Sequence, residues 1–174
     1  NQVFSNIIKE YKTHGSFDEV HIINLGDAQD GQNKKTTRNS HDLKQNMSNE
    51  QVFDVGVEMR LKLIESIVRS EITSKVVTYD VTNDNHSGSF GYYVSSAVKK
   101  VCNKLYNSEI IECNILKKFL DHYTYGDHCF ILTHGKDREY MKNGLPVTIN
   151  AKVESLIRDY IDHHGIKSNY IQLN

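Results

Sequence analysis

Cysteine, proline and long apolar runs are all scarce in this sequence. The three cysteines, Cys102, Cys113 and Cys129, are odd in number and form no CxxC pair. That argues against a disulfide framework and a zinc ribbon and fits a reducing compartment, with the cytoplasm as the default. No apolar stretch approaches the roughly 20 residues of a membrane span, so no membrane partner is expected. No charged-then-apolar signal segment opens the chain. An excess of either charge is also missing: Lys+Arg number 21, Asp+Glu 22, and the net charge is -1. Such a chain has no general attraction for nucleic acid, and any such binding needs a local basic patch. There is no GxxxxGK[ST] loop for a P-loop NTPase and no Gly-x-Ser-x-Gly elbow for a hydrolytic serine.

What remains suits one domain. The chain has 174 residues, 38% of them hydrophobic and 25% charged. Repeats, low-complexity tracts and a domain boundary are all lacking, and the single proline, Pro146, falls in a loop. The first residue is Asn1, so the sequence reads as an excised piece of a longer protein.

Apolar period divides the chain into helices and strands. Val3, Phe4, Ile7, Ile8 and Tyr11 recur at helical spacing, as do Phe53, Val57, Leu61, Ile64, Val68 and Ile72 behind a capping-box pattern at Ser48 and Gln51. Further helices are predicted through Val94–Leu105 and Val153–Ile161. Strands are predicted at Glu19–Leu25, Lys75–Val81, Phe119–Thr124, Cys129–Thr133 and Asn169–Leu173, with a hairpin loop over Tyr125–His128. The alternation predicts an α/β fold, a layered sandwich with a mixed sheet between helices. Between them, Asp27–Met47 is a polar stretch long enough to suggest a functional loop.

Three polar clusters each follow a strand directly. They are Gly26-Asp27-Ala28-Gln29-Asp30-Gly31, Asn83-Asp84-Asn85-His86-Ser87-Gly88 and His134-Gly135-Lys136-Asp137. In α/β sheets ligands gather beyond the carboxyl ends of strands. A carboxylate, an amide oxygen and two imidazoles delivered there suit a divalent cation of intermediate hardness, Mn²⁺, Fe²⁺ or Zn²⁺. A carboxylate can bridge two ions, and a pair of ions can hold a phosphate, turn a bound water into hydroxide and neutralise the leaving oxygen. Each cluster alone is more often a turn or cap; their joint occurrence at strand ends is what carries the argument.

At these residues the chain resembles the calcineurin-like metallophosphoesterases. Their ordered signature is DxH, GDxxD, GNH followed by a carboxylate, a single His after a strand, and GHxH. Gly26-Asp27-Ala28-Gln29-Asp30 matches the second element, Asn85-His86 the core of the third and His134 the fourth. The Gly26–Met47 segment also looks like phage-encoded members. The resemblance implies part of a four-layer fold in which Asp27 bridges two metals and Asn85 and His134 bind one. Asp30 then supports the site from behind, and His86 contacts phosphate or acts as general acid. It implies a phosphoester hydrolase, whether phosphatase, phosphodiesterase or DNA nuclease, with a phosphoester substrate and DNA among the candidates. The residues do not set the oligomeric state.

Two departures stand out: Asp84 replaces the glycine of that signature and Ser87 its carboxylate, so orientation of His86 must come from another acid such as Asp80 or Asp84. The DxH strand and the GHxH segment are expected to be missing, so metal binding in this chain is expected to be weak or absent, with little activity. Two other readings stand beside this one. A non-catalytic interaction domain could retain the fold. A DHH-type phosphoesterase is suggested by Asp162-His163-His164, a triplet that the helical pattern places at a helix end. Cys129 beside His128 reads as a buried structural thiol, and His41-Asp42 as an exposed loop pair.

Overall fold

The computed structural model describes residues 2–31, 46–82, 84–136 and 150–174. It is an α/β protein with, among the described residues, four helices and two three-stranded sheets, one parallel and one mixed. His41, Asp42, Asn83, Asp137, Pro146 and most of the long polar stretch lie outside the described residues.

The first sheet has the order β1-β2-β3, built from β1 (Phe17–Asn24), β2 (Thr73–Val81) and β3 (Ile111–Leu116), all parallel. Parallel neighbours need crossovers, supplied by α2 (Asn49–Ser70) and α3 (Ser89–Leu105), while α1 (Gln2–Lys12) leads into β1. The predicted capping box forms at the start of α2: the Ser48 hydroxyl accepts from the Gln51 N–H, and the Gln51 side chain accepts from the Ser48 N–H. Ile64 and Ile67 of α2 and Val98 and Cys102 of α3 bury against Val76, Ile111 and Cys113. Each fully buried aliphatic side chain contributes about 1.5–3 kcal/mol. Strand β3 escaped the periodicity reading because IECNIL is short and its outward positions carry Glu112 and Asn114.

The remaining strands form a second sheet rather than joining the first. β4 (Asp121–Tyr125) and β5 (His128–Leu132) are antiparallel through a turn with Gly126 at φ 59°, and β6 (Tyr170–Leu173) pairs parallel with β5. Side chains alternate across this sheet. Cys129 and Ile131 point to α4 (Ala151–His164), meeting Ile157 and Ile161, while Tyr123 and Phe130 point the other way. Tyr123 stacks on Tyr79 of β2 at 4.0 Å with the rings 13° apart, and it also meets His21 of β1. The two sheets therefore face one another, with α2 and α3 outside the first and α4 outside the second. All three cysteines are free and buried, Cys129 among them.

A histidine latches α4 to β4. His122 Nδ1 lies 2.9 Å from the Tyr160 hydroxyl, and its ring meets His164 edge-on. Burial pushes the His122 pKa down, and so do the neighbouring His164 and Lys118, against a smaller upward pull from Asp121. The unfolded chain then takes up this proton more readily than the folded one, so the contribution is complete above the ordinary histidine value of about 6.5 and is lost as pH falls through the lowered value. Melting temperature measured against pH should fall more steeply on acidification in the parent than in His122→Gln.

Register sets the height of the candidate site. Asn24 of β1 pairs with Asp80 of β2, so both strands end level and release the Gly26–Asp27 and Asp84–His86 segments side by side. The carboxyl end of β5 brings His134 against them, its Nδ1 2.8 Å from the Leu25 carbonyl.

Candidate metal centre

Asp27, Asn85 and His134 come together across the ends of both sheets. His134 Nε2 lies 2.8 Å from Asn85 Oδ1 and 3.4 Å from Asp27 Oδ1. The other ring nitrogen, Nδ1, faces the Leu25 carbonyl, which can only accept, so Nδ1 carries a proton. Nε2 then presents its lone pair toward two further oxygen acceptors, unless the ring holds a second proton. The contact is satisfied by a proton on Nε2, by the Asn85 amide turned so that its N–H donates to the ring, or by a cation among the three groups. The 2.8 Å separation is that of an ordinary hydrogen bond, and the same spacing is compatible with donors about 2.0–2.2 Å from one ion, which stand roughly 2.8–3.6 Å apart at octahedral or tetrahedral angles. Among the described residues no group of three His, Cys, Asp or Glu side chains could hold a metal ion. Asp27 and His134 with the Asn85 amide would offer three donors to a single ion, too few for a pair.

The turn delivering Asp27 is tightly specified. Asn24 Oδ1 accepts from the Gly26 N–H at 3.2 Å, while its amide nitrogen donates to Asp80 Oδ1 at 3.0 Å. Asp80, buried at 6% exposure, also faces the Arg60 guanidinium of α2 at 3.3 Å. Gly26 at φ 99° and Asp27 at φ 52° both take positive dihedrals, a region in which Asp is among the few tolerated side chains. Burial raises the Asp27 pKa, as does the nearby charge of Asp84, against downward pulls from His134 and His86.

His86 is oriented by a different acid from those the sequence suggested. Its Nδ1 lies 3.0 Å from Asp30 Oδ1, and this hydrogen bond is the main cause of a raised His86 pKa. Asp80 is engaged with Arg60 and Asn24. Asp84, 5% exposed, instead accepts from the backbone N–H groups of His86 at 3.0 Å and Ser87 at 2.6 Å and from the Ser87 hydroxyl. Asp84 therefore shapes the loop in place of the glycine found in the signature, and Ser87, 1% exposed, belongs to that loop's interior. The His86 N–H also points to Asp27 Oδ1 at 3.3 Å, and the Gly31 N–H bonds the His86 carbonyl, so the two clusters lock together. Sequence spacing gave no sign that Asp30 and His86, 56 positions apart, would meet.

The Asp162-His163-His164 triplet ends helix α4 rather than following a strand, with His164 Nδ1 bonded to the Tyr160 carbonyl. The chain matches no known family, no curated protein and no solved structure.

Proposed function

We propose that this chain is part of a metal-dependent phosphoester hydrolase of the calcineurin-like metallophosphoesterase type. One observation carries the reading: the mutual approach of Asp27 Oδ1, Asn85 Oδ1 and His134 Nε2, three lone-pair donors from three strand ends. Asp27, Asn85 and His134 would hold the ion. When bound, divalent ions supply a water of lowered pKa and neutralise charge on the phosphoryl and leaving oxygens.

The protein's own groups do the rest. Asp30 fixes the His86 ring through Nδ1 and favours its protonated form, which leaves Nε2 as the nitrogen that gives a proton to a departing alkoxide. Asp84 holds the backbone on which His86 sits. The face-to-face sheets with helices outside each support the four-layer fold of that family.

Titration of Mn²⁺ into the protein by calorimetry tests this reading. Three protein donors should give one weak site, with micromolar or poorer affinity, and little turnover of phosphoesters. Tight binding at two sites would overturn the weak single-ion centre, and no binding at millimolar metal would leave the non-catalytic interaction domain as the better account. No described helix is long and apolar enough to cross a membrane.

A further inference from the structure

Charge is evenly mixed over most of this molecule. On α2 the exposed bases sit beside acids one turn away, as in Lys62–Glu58 and Arg69–Glu65, and on α4 Arg158 pairs with Glu154. Helix α3 is different. Its sequence, SFGYYVSSAVKKVCNKL, contains three lysines and no acid, in a chain of net charge -1. Tyr93, Lys100 and Lys104 recur at i, i+7 and i+11 and so share one face, and all three are exposed. Exposed Lys117 and Lys118 follow directly on the end of β3, and Lys117 Nζ lies 4.1 Å above the ring of Tyr92 in the first turn of α3. Among the described residues none of these lysines is ion-paired.

The patch has a direction. α3 begins immediately after His86-Ser87-Gly88, so its tyrosine end adjoins the Asp27, Asn85 and His134 cluster and its lysines lead away from it. Leu116, just before Lys117, accepts from the Thr82 N–H, which puts Lys117 at the same rim. A solvated helix face would carry bases and acids together, as α2 and α4 do; on α3 the helix dipole favours Lys104 in the last turn, while Lys100 with Lys104 and Lys117 with Lys118 add like charge that a polyanion would offset. Tyr93 is 50% exposed and offers a ring to a stacking partner. An unpaired base presents such a face, whereas a duplex hides its bases within the stack.

We propose that the α3 face, with Lys117 and Lys118, is a track for a single strand of nucleic acid, the lysines meeting successive phosphates and Tyr93 stacking on a base. That this strand is the phosphodiester substrate rests on the hydrolase reading above; the track itself does not.

Fluorescence anisotropy of a labelled oligothymidylate, in EDTA so that no metal-dependent step intervenes, tests the track. Binding should be saturable at low salt and weaken as salt rises. Tyr93→Ala should weaken it about tenfold. Lys100→Gln with Lys104→Gln should weaken it by a similar factor and flatten the salt dependence by about 0.7 unit of slope per lysine. Lys167→Gln, beyond the patch, should bind like the parent. Absence of saturable binding, or equal affinity of the α3 variants and the parent, would overturn the track. Tighter binding to a duplex of the same length would overturn its assignment to single strands. Oligonucleotide binding without any Mn²⁺ binding would leave the track standing and remove the hydrolase reading.

Discussion

Gly26→Ala is expected to cost about 3 kcal/mol of stability, the sum of backbone strain and overpacking. A Cβ there would stand 2.7 Å from the Asp84 Cβ and 2.9 Å from His134 Nδ1, and the backbone holds φ 99°. Neither neighbour can yield cheaply. Asp84 is buried and holds the His86 loop, and His134 Nδ1 is tied to the Leu25 carbonyl. A loss of this size in a chain of 174 residues lowers the melting temperature by roughly 6–12 °C, measurable by calorimetry or circular dichroism. A shift under about 2 °C would mean that the Gly26, Asp84 and His134 contacts are looser than described.

Asp27→Asn should move function and stability in opposite directions. The aspartate carboxylate is partly desolvated and lies near Asp84, and its pKa is accordingly raised. A raised carboxylate opposes folding once pH exceeds that value, and the penalty disappears below the ordinary value near 3.9. Asparagine removes the charge and still tolerates the positive φ of 52°. The variant should therefore melt at a higher temperature than the parent at pH 7, with the difference vanishing in acid. Loss of a direct ligand should lower Mn²⁺ affinity beyond the roughly 10–100-fold typical of outer partners, to below detection by calorimetry. A variant that kept its Mn²⁺ affinity would remove Asp27 from the metal centre, whatever its melting temperature.

Much of the local structure was written in the sequence. The capping pair Ser48 and Gln51, the apolar face of α2 and the end of α4 at Gly165 depend on neighbours within a turn or two, and each forms where periodicity placed it. Asp27, Asn85 and His134 were expected to meet at one rim of a single sheet; they do approach one another, but from the strand ends of two sheets. The division into two sheets was not foreseen. Whether β5 joins β2 or faces it depends on contacts such as Tyr79 with Tyr123, 44 positions apart, which no local pattern encodes. The same limit hid the pairing of Asp30 with His86 and the work of Asp84, whose side chain looked like a flaw in a glycine motif and proves to hold its loop together. The charge of α3 was lost for another reason: a net of -1 over the whole chain averages away a face that has no acid.

The division of the donors between two sheets has a mechanical consequence. Asp27 and Asn85 ride on one slab and His134 on the other, and flat aromatic rings such as Tyr79 and Tyr123 lie between the slabs. Flat rings resist separation more than sideways sliding, so the softest relative movement is shear in the plane of the sheets. A slip of about 1 Å along that plane would pull the imidazole out of coordinating distance. An ion seated there would act as a rivet between the slabs, and its arrival should be felt as added rigidity along the whole inter-sheet seam.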